Sequence, residues 1–122
     1  MAHIRQLTLL QRKSGLSRED FHRYWIDVHA PMVRQLPHII SYTQHHVTGA
    51  AGRQSYAVPD IEVDGVVEFV FAGAQEASEA FSGPIGRKVL EDAENFISAM
   101  VVLSVTSIPV VHEAQVVCPP TL

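Results

Sequence analysis

Seven histidines among 122 residues are the feature of this sequence that most directly suggests chemistry. Histidine is the side chain whose ordinary pKa lies closest to neutrality, so it can give and take protons at the pH of a cell. Only a histidine that the fold holds beside a substrate can act in this way. The positions of the histidines along the predicted helices and strands therefore matter more than their number.

The first predicted helix places a histidine in the middle of its apolar face. Ser17 can cap this helix, and two acidic residues follow in its first turn. Pro31 has no backbone N–H, so the helix must end or kink there. At about 100° per residue, one arc of the helix is apolar. The arc comprises Phe21, His22, Trp25, Ile26, Val28, His29, Met32 and Val33.

His29, near the middle of this arc, is the main catalytic candidate. A buried imidazole must find a hydrogen-bond partner or line a cavity, because an unsatisfied buried polar group is costly. It is therefore either a general acid or base or a core histidine bonded to a backbone carbonyl. Phe21 and Trp25 would line the same pocket, although a core role suits Trp25 equally. His22 lies near the helix start, partly exposed, as a possible substrate contact.

The second and third predicted strands carry further candidates. His45 and His46 are adjacent, so their side chains point to opposite faces and only one can reach the pocket. We expect His46 to be a second proton-transfer or orienting group and His45 a substrate contact. Glu68 stands between apolar residues, where it could act as a general acid or base or as a structural acceptor. Tyr24 could polarise a substrate oxygen, as could Glu68.

A loop predicted over residues 49–60 could cover the pocket, and Tyr56 is its only large side chain. Tyr56 is therefore also a candidate substrate contact. No metal site is expected, because His22 and His29 lack the one-turn spacing that clamps an ion and no other ligand completes a set.

The elements that must position these residues follow the order β-α-β-β-α-β. The predicted strands are residues 3–12, 39–48, 61–71 and 100–111, with a second helix over 74–97 that breaks at Gly83-Pro84. This order predicts a ferredoxin-like α+β fold with both helices on one face of an antiparallel sheet. The last strand is apolar on both sides, so a second copy of the chain should cover the open face and form a dimeric α+β barrel.

Composition narrows the classes of function. The length predicts one domain, residues 1–112, followed by a polar tail, 113–122. The net charge of −4 and the scattered cations argue against nucleic acid as a partner. No apolar run is long enough to cross a membrane. The single cysteine, Cys118, cannot form an intramolecular disulfide, which indicates a cytoplasmic protein.

Several segments together resemble the EthD family. They are Lys13-Ser14-Gly15-Leu16-Ser17-Arg18-Glu19-Asp20-Phe21, Tyr24-Trp25, His29-Ala30-Pro31, Leu36-Pro37, Tyr42, Gln44, His46-Val47 and the run Asp64 to Phe71. The pattern departs from the family at His45, where members commonly have Asn, and at Val70, where they commonly have an aromatic residue. Both differences bear on the pocket more than on the fold.

The resemblance implies a homodimeric α+β barrel that binds a small molecule and works without a metal or organic cofactor. Relatives include lactone isomerases and decarboxylases or cyclases of aromatic polyketides. We therefore expect a lyase or isomerase of a small aromatic, polyketide or lactone metabolite, with His29 and His46 in proton transfer. Two alternatives remain open: a non-catalytic small-molecule carrier or accessory protein, and a haem-binding barrel. Fold likeness cannot choose among them.

Overall fold

A computed structural model describes residues 3–111 and confirms the predicted ferredoxin-like arrangement. Its four antiparallel strands form one sheet in the order β2-β3-β1-β4. The strands are β1, Ile4–Arg12; β2, Ile39–His46; β3, Gly65–Phe71; and β4, Ile97–Val105. The predicted tail, 113–122, lies outside the described residues. Within residues 3–111, no helix has the length and apolar character needed to span a membrane.

The helices lie on one face of the sheet, and each of the two predicted helices is divided. The first comprises α1, Arg18–Tyr24; a π-helical segment, Trp25–His29; and α2, Ala30–Val33. The second comprises α3, Ala74–Ser82, and α4, Pro84–Ala93, separated at Gly83 as predicted. Ser17 caps α1 by accepting a hydrogen bond of 3.0 Å from the backbone N–H of Asp20.

The π-helical segment explains how one helix buries four residues that are spaced evenly by four. Phe21, Trp25, His29 and Val33 are all at least nine-tenths buried. In a regular α-helix, each step of four residues rotates a side chain by about 40°, so this stripe would drift off the buried face. A wider turn holds more residues and takes up the drift. The helix was expected to end or kink at Pro31, but it continues through that residue to Val33, and its geometry changes one turn earlier, over Trp25–His29.

Part of the predicted apolar arc is wrong because of the same change of helical geometry. Ile26 is 51% exposed and Val28 is 38% exposed, although both were expected on the buried face. A uniform rotation per residue does not hold across the π-helical turn, so it misplaces residues inside it. His29 itself remains buried, at 7% exposure.

The sheet separates two sets of side chains by simple alternation. Gly65, Val67, Phe69 and Phe71 of β3 face the helices, opposite alternate residues of β1 and β2. The helix-facing residues of the neighbouring strands are Gln6, Thr8, Leu10, Tyr42, Gln44 and His46. The other face, which we call the open face, carries Arg5, Leu7, Leu9, His45, Glu68, Val101 and Leu103.

Several boundaries differ from the sequence prediction. β2 ends at His46 and not at residue 48, and β4 begins at Ile97, where the second helix was still expected, because α4 ends at Ala93. β3 begins at Gly65 and not at residue 61, and Ile61 is 61% exposed in the preceding loop. Buried Asp64 ends that loop by accepting hydrogen bonds from Arg12 and Arg18. β4 ends at Val105, because its partner strand β1 pairs Arg5 with that residue and begins only one residue earlier.

Gly65 should be necessary for the packing of Trp25 under the first helix. A Cβ at Gly65 would lie 2.5 Å from the Trp25 ring, whereas one at Gly49 would meet nothing within 4 Å. We expect Gly65→Ala to lower the free energy of unfolding in urea by about 1–3 kcal/mol through overpacking. Gly49→Ala is the matched control and should change it little; equal stability of the two variants would contradict this packing.

Candidate functional site

A cavity of about 740 Å³ lies between the helices and the sheet. Its volume falls within the range of small-molecule sites in proteins. The walls are largely apolar and include Leu10, Trp25, Val67, Phe69, Val89 and Ile97. The polar groups that reach it include Gln6, Thr8, His29 and Tyr42. The arrangement suits an apolar molecule that carries a few oxygen atoms.

His29 reaches this cavity while its other ring nitrogen is held by a carboxylate. Nδ1 of His29 lies 2.8 Å from Oδ2 of Asp92 on α4. A carboxylate accepts, so Nδ1 carries the proton and donates it to Asp92. Both side chains are more than nine-tenths buried. The pair is therefore held away from bulk water, and Nε2 is left as the nitrogen that can act on a ligand.

Asp92 is satisfied by two further donors. The Tyr24 hydroxyl donates to Oδ1 of Asp92 over 2.6 Å, and the Asn95 amide donates to the same oxygen over 3.2 Å. Burial raises the pKa of the Asp92 carboxyl, but the hydrogen bonds from Tyr24, His29 and Asn95 outweigh it and leave the pKa below its ordinary value. Asp92 is thus ionised near neutral pH.

The protonation of His29 is set by the same surroundings. Burial lowers the pKa of His29, and the hydrogen bond and negative charge of Asp92 offset only part of that effect. The imidazole is therefore neutral at pH 7, with its proton on Nδ1 and a free lone pair on Nε2. This is the form that a general base requires.

His46 belongs to a second cluster, beside the cavity and not in its wall. Its ring stacks on Trp25 at a centroid distance of 4.7 Å, and His22 lies 4.4 Å away. Nε2 of His46 lies 2.9 Å from Oε1 of Gln44, and Nε2 of His22 lies 2.8 Å from the backbone oxygen of Asp64. Burial, and then the neighbouring His22, lowers the pKa of His46. The structure thus joins His22 and His46 to each other and to Trp25, which alone of the three lines the cavity.

Glu68 and His45 lie on the open face of the sheet, away from His29. Glu68 forms an ion pair with Arg5, and Nε2 of His45 lies 3.8 Å from the same carboxylate. The structure therefore answers which strand-two histidine faces the helices: it is His46. Glu68 has the position of a structural acceptor, which was the alternative expectation for it.

Three other predicted residues also lie apart from the cavity lining. Phe21 is fully buried, packing against Trp25 and Phe96 at centroid distances of 5.7 and 5.4 Å. Tyr24 uses its hydroxyl on Asp92, so it acts on His29 only indirectly. Tyr56 is 72% exposed in the loop before β3 and does not line the cavity.

Asp92 was not predicted from the sequence, although a signal for it exists. On α4 the buried residues are Gly86, Val89 and Asp92, spaced by three along one face. A carboxylate on such a stripe is as unusual as a histidine on the first helix, and the two are complementary in charge. Tyr42 and Gln44 were likewise given no role. Within residues 3–111, no group of three or more His, Cys, Asp or Glu side chains is arranged to hold a metal ion.

Solved structures share this fold. An EthD family protein from Bacillus halodurans superposes with a TM-score of 0.69 at 13% identity, covering 88% of this chain and 100% of its own. A dimeric ferredoxin-like protein from Thermobifida fusca gives 0.66 at 15% identity, covering 86% and 91%. An EthD-like protein from Ralstonia eutropha gives 0.58 at 24% identity, covering 94% and 99%.

No curated protein matches the sequence. The family model described as the EthD domain matches residues 13–99, which include the π-helical segment, the pair formed by His29 and Asp92 and part of the cavity lining. Because the match covers most of the chain, it confirms the family resemblance of the sequence. The chain belongs to the EthD family.

Proposed function

We propose that this protein is a cofactor-independent lyase or isomerase that uses His29 as its general base. The observation that carries the proposal is the hydrogen bond of His29 to buried Asp92 at the wall of a largely apolar cavity. A histidine in a merely structural role needs no ionised partner and no access to an empty space. The single cysteine fits a cytoplasmic setting for such an enzyme.

The proposed reaction begins with the transfer of a proton from the substrate to Nε2 of His29. The imidazole then becomes positively charged, and the adjacent Asp92 carboxylate stabilises that charge and holds the ring in place. Return of the proton to another atom gives an isomer. In a lyase, the C–C bond to a carboxylate breaks, CO2 leaves, and the carbon that keeps the electron pair takes the proton back from His29. In a cyclase, the enolate carbon attacks a second carbonyl group of the substrate, and His29 returns the proton to the oxygen of the new alkoxide. The apolar walls favour a small aromatic, polyketide or lactone compound.

We also propose that the protein is a homodimer that associates through the open face. Val101 is 47% exposed and Leu103 is 41% exposed on this face, beside Leu7 of β1. Exposed apolar surface of this kind is typically covered by a partner, and the same face of a second copy is self-complementary by twofold symmetry. The description of the Thermobifida fusca structure as dimeric supports this assembly.

Substitution of either member of the buried pair should slow proton transfer. In D2O, the protein should accelerate deuterium uptake at acidic C–H positions in at least one member of a panel of phenolic, polyketide and lactone compounds. His29→Gln should slow this exchange by about 10²- to 10⁴-fold through loss of the base. Asp92→Asn should reduce it by about 10²-fold or more, since an amide can hold the wrong tautomer of His29.

His38→Asn is the matched control for this assay. His38 is a surface histidine with a φ of 68°, a conformation that Asn tolerates. Full exchange by His29→Gln would refute the assignment of the base. Compounds that bind without exchange would indicate a carrier, and a Soret band on titration with haem would indicate a haem-binding barrel.

The stability of the fold should depend on pH through His29. Its folded-state pKa lies below the ordinary 6.5, so between these values the unfolded chain binds more protons than the folded chain. The free energy of unfolding should therefore rise with pH up to about 6.5 and fall on acidification. In urea titrations, His29→Gln should reduce this slope by up to about 1.4 kcal/mol per pH unit. An identical slope in the variant would contradict the depressed pKa.

Charge placed on the open face should separate the dimer. We expect Leu103→Glu to sediment as a monomer at concentrations where the unmodified protein sediments as a dimer, because paired carboxylates would be buried without partners. Ile61→Glu is the control, since Ile61 is 61% exposed in a loop away from the sheet. A Leu103→Glu variant that stays dimeric would place the interface elsewhere.

A further inference from the structure

Tyr42 lines the same cavity as His29, and a defined set of bonds orients its hydroxyl group. The amide nitrogen of Gln44 lies 2.6 Å from the Tyr42 hydroxyl oxygen and 3.1 Å from the backbone oxygen of Trp25. A backbone oxygen only accepts, so this end of the Gln44 amide must be the NH2 group. The Tyr42 oxygen therefore accepts a hydrogen bond from Gln44.

The other end of the same amide supports this orientation. Oε1 of Gln44 lies 2.9 Å from Nε2 of His46, which can donate to it. The Tyr42 oxygen accepts this bond, and its own O–H proton remains to be donated. No residue in the range 3–111 accepts it, so the proton is available to a molecule in the cavity. Burial raises the pKa of Tyr42, and bonds from Gln44 and Trp25 offset part of this, so the phenol keeps its proton near neutral pH.

A second hydroxyl at the cavity also has an O–H proton that is donated to no other residue in the range 3–111. Thr8, in the middle of β1, is 3% exposed and lines the cavity, and its hydroxyl bonds to no other residue in the described part of the chain. Buried hydroxyls are normally hydrogen-bonded. Every fully buried side-chain nitrogen or oxygen within residues 3–111 has a partner, so the unbonded Thr8 hydroxyl is open to the cavity. Thr8 and Tyr42 can therefore each donate a hydrogen bond to an oxygen atom of a ligand.

We propose that the Tyr42 hydroxyl is a catalytic residue that donates a hydrogen bond to the substrate oxygen on which negative charge develops. The inference rests on the proposed function and deepens it. When His29 removes a proton from carbon, the C–H bond breaks and an N–H bond forms at Nε2. The electron pair forms a C=C bond, and the carbonyl π electrons move to oxygen as an enolate. A donor already aimed at that oxygen stabilises the charge.

This assignment restricts the substrate class. The proton must be removed from a carbon next to a carbonyl group, or from the sp3 ring carbon of the keto tautomer of a phenol, so that the charge can reach an oxygen within range of Tyr42. A hydrocarbon or a simple ether offers no such oxygen. A substrate must therefore carry a carbonyl or an ionisable hydroxyl group on an otherwise apolar molecule.

Two probes of matched shape test the donor without requiring the natural substrate. They are 4-nitrophenolate, which carries a charged oxygen, and 4-nitrotoluene, which carries a methyl group in its place. Binding to the full chain is followed by quenching of Trp25, the only tryptophan and part of the cavity wall. We expect Tyr42→Phe to weaken 4-nitrophenolate binding by about 10- to 100-fold and to leave 4-nitrotoluene binding unchanged.

Tyr56→Phe is the matched control, because Tyr56 is 72% exposed, and it should bind both probes like the unmodified protein. Unchanged binding of 4-nitrotoluene also shows that Tyr42→Phe is folded. Equal weakening of both probes, or none, would overturn the role of Tyr42 while leaving His29 to be judged by deuterium exchange. If neither probe binds the unmodified protein, the cavity is not a binding site for such molecules, and the proposed function is refuted as well.

Discussion

The buried negative charge of Asp92 is the constraint on which the helical layer of this protein depends. An ionised carboxylate inside a fold is tolerated only where several donors surround it, and removal of its partners is strongly destabilising. Tyr24, His29 and Asn95 supply those donors. Because Tyr24 and His29 lie on the first helix and Asp92 lies on α4, satisfying this charge sets how the two helices dock. The position of His29 over the cavity follows from that docking.

The two faces of the sheet carry different groups of side chains. The helix-facing side carries the cavity with His29, Tyr42 and Thr8, while the open face carries exposed apolar residues and the charged group around Glu68. Strict alternation along the strands makes this separation possible, since neighbouring residues such as His45 and His46 serve different surfaces. A change on one face can therefore leave the chemistry of the other intact.

Elements were predictable from the sequence where a local rule governs them, and side-chain partnerships were not. The element order, the break at Gly83 and the burial of His29 follow from turn residues and periodicity, which act over a few positions. The bond of His29 to Asp92 joins residues far apart in the chain and depends on helix docking. The π-helical turn escaped prediction for a related reason: it is favoured by the packing of Trp25 and His29 together, which no single position reveals.

Tyr24 also shows that the partner of a side chain cannot be predicted from its residue type. Its residue type indicates a donor to an oxygen, and it does donate to one, but the oxygen belongs to Asp92 and not to a ligand. Tyr42 has the same side chain on the sheet and faces the cavity instead. Only the three-dimensional arrangement distinguishes these two phenols.

The origin of the buried pair in two halves of the chain has a consequence for how the protein folds. The ferredoxin-like order repeats a β-α-β unit, and His29 comes from the first unit whereas Asp92 comes from the second, 63 positions later. Contacts of such long sequence separation carry a large loop-closure entropy, so they are expected to form after the local structure. A nascent or truncated chain holding only the first unit would carry the histidine without its orienting carboxylate. In such a chain no ionised partner would hold the tautomer of His29, so the geometry that the proposed proton transfer needs is complete only when both units have docked.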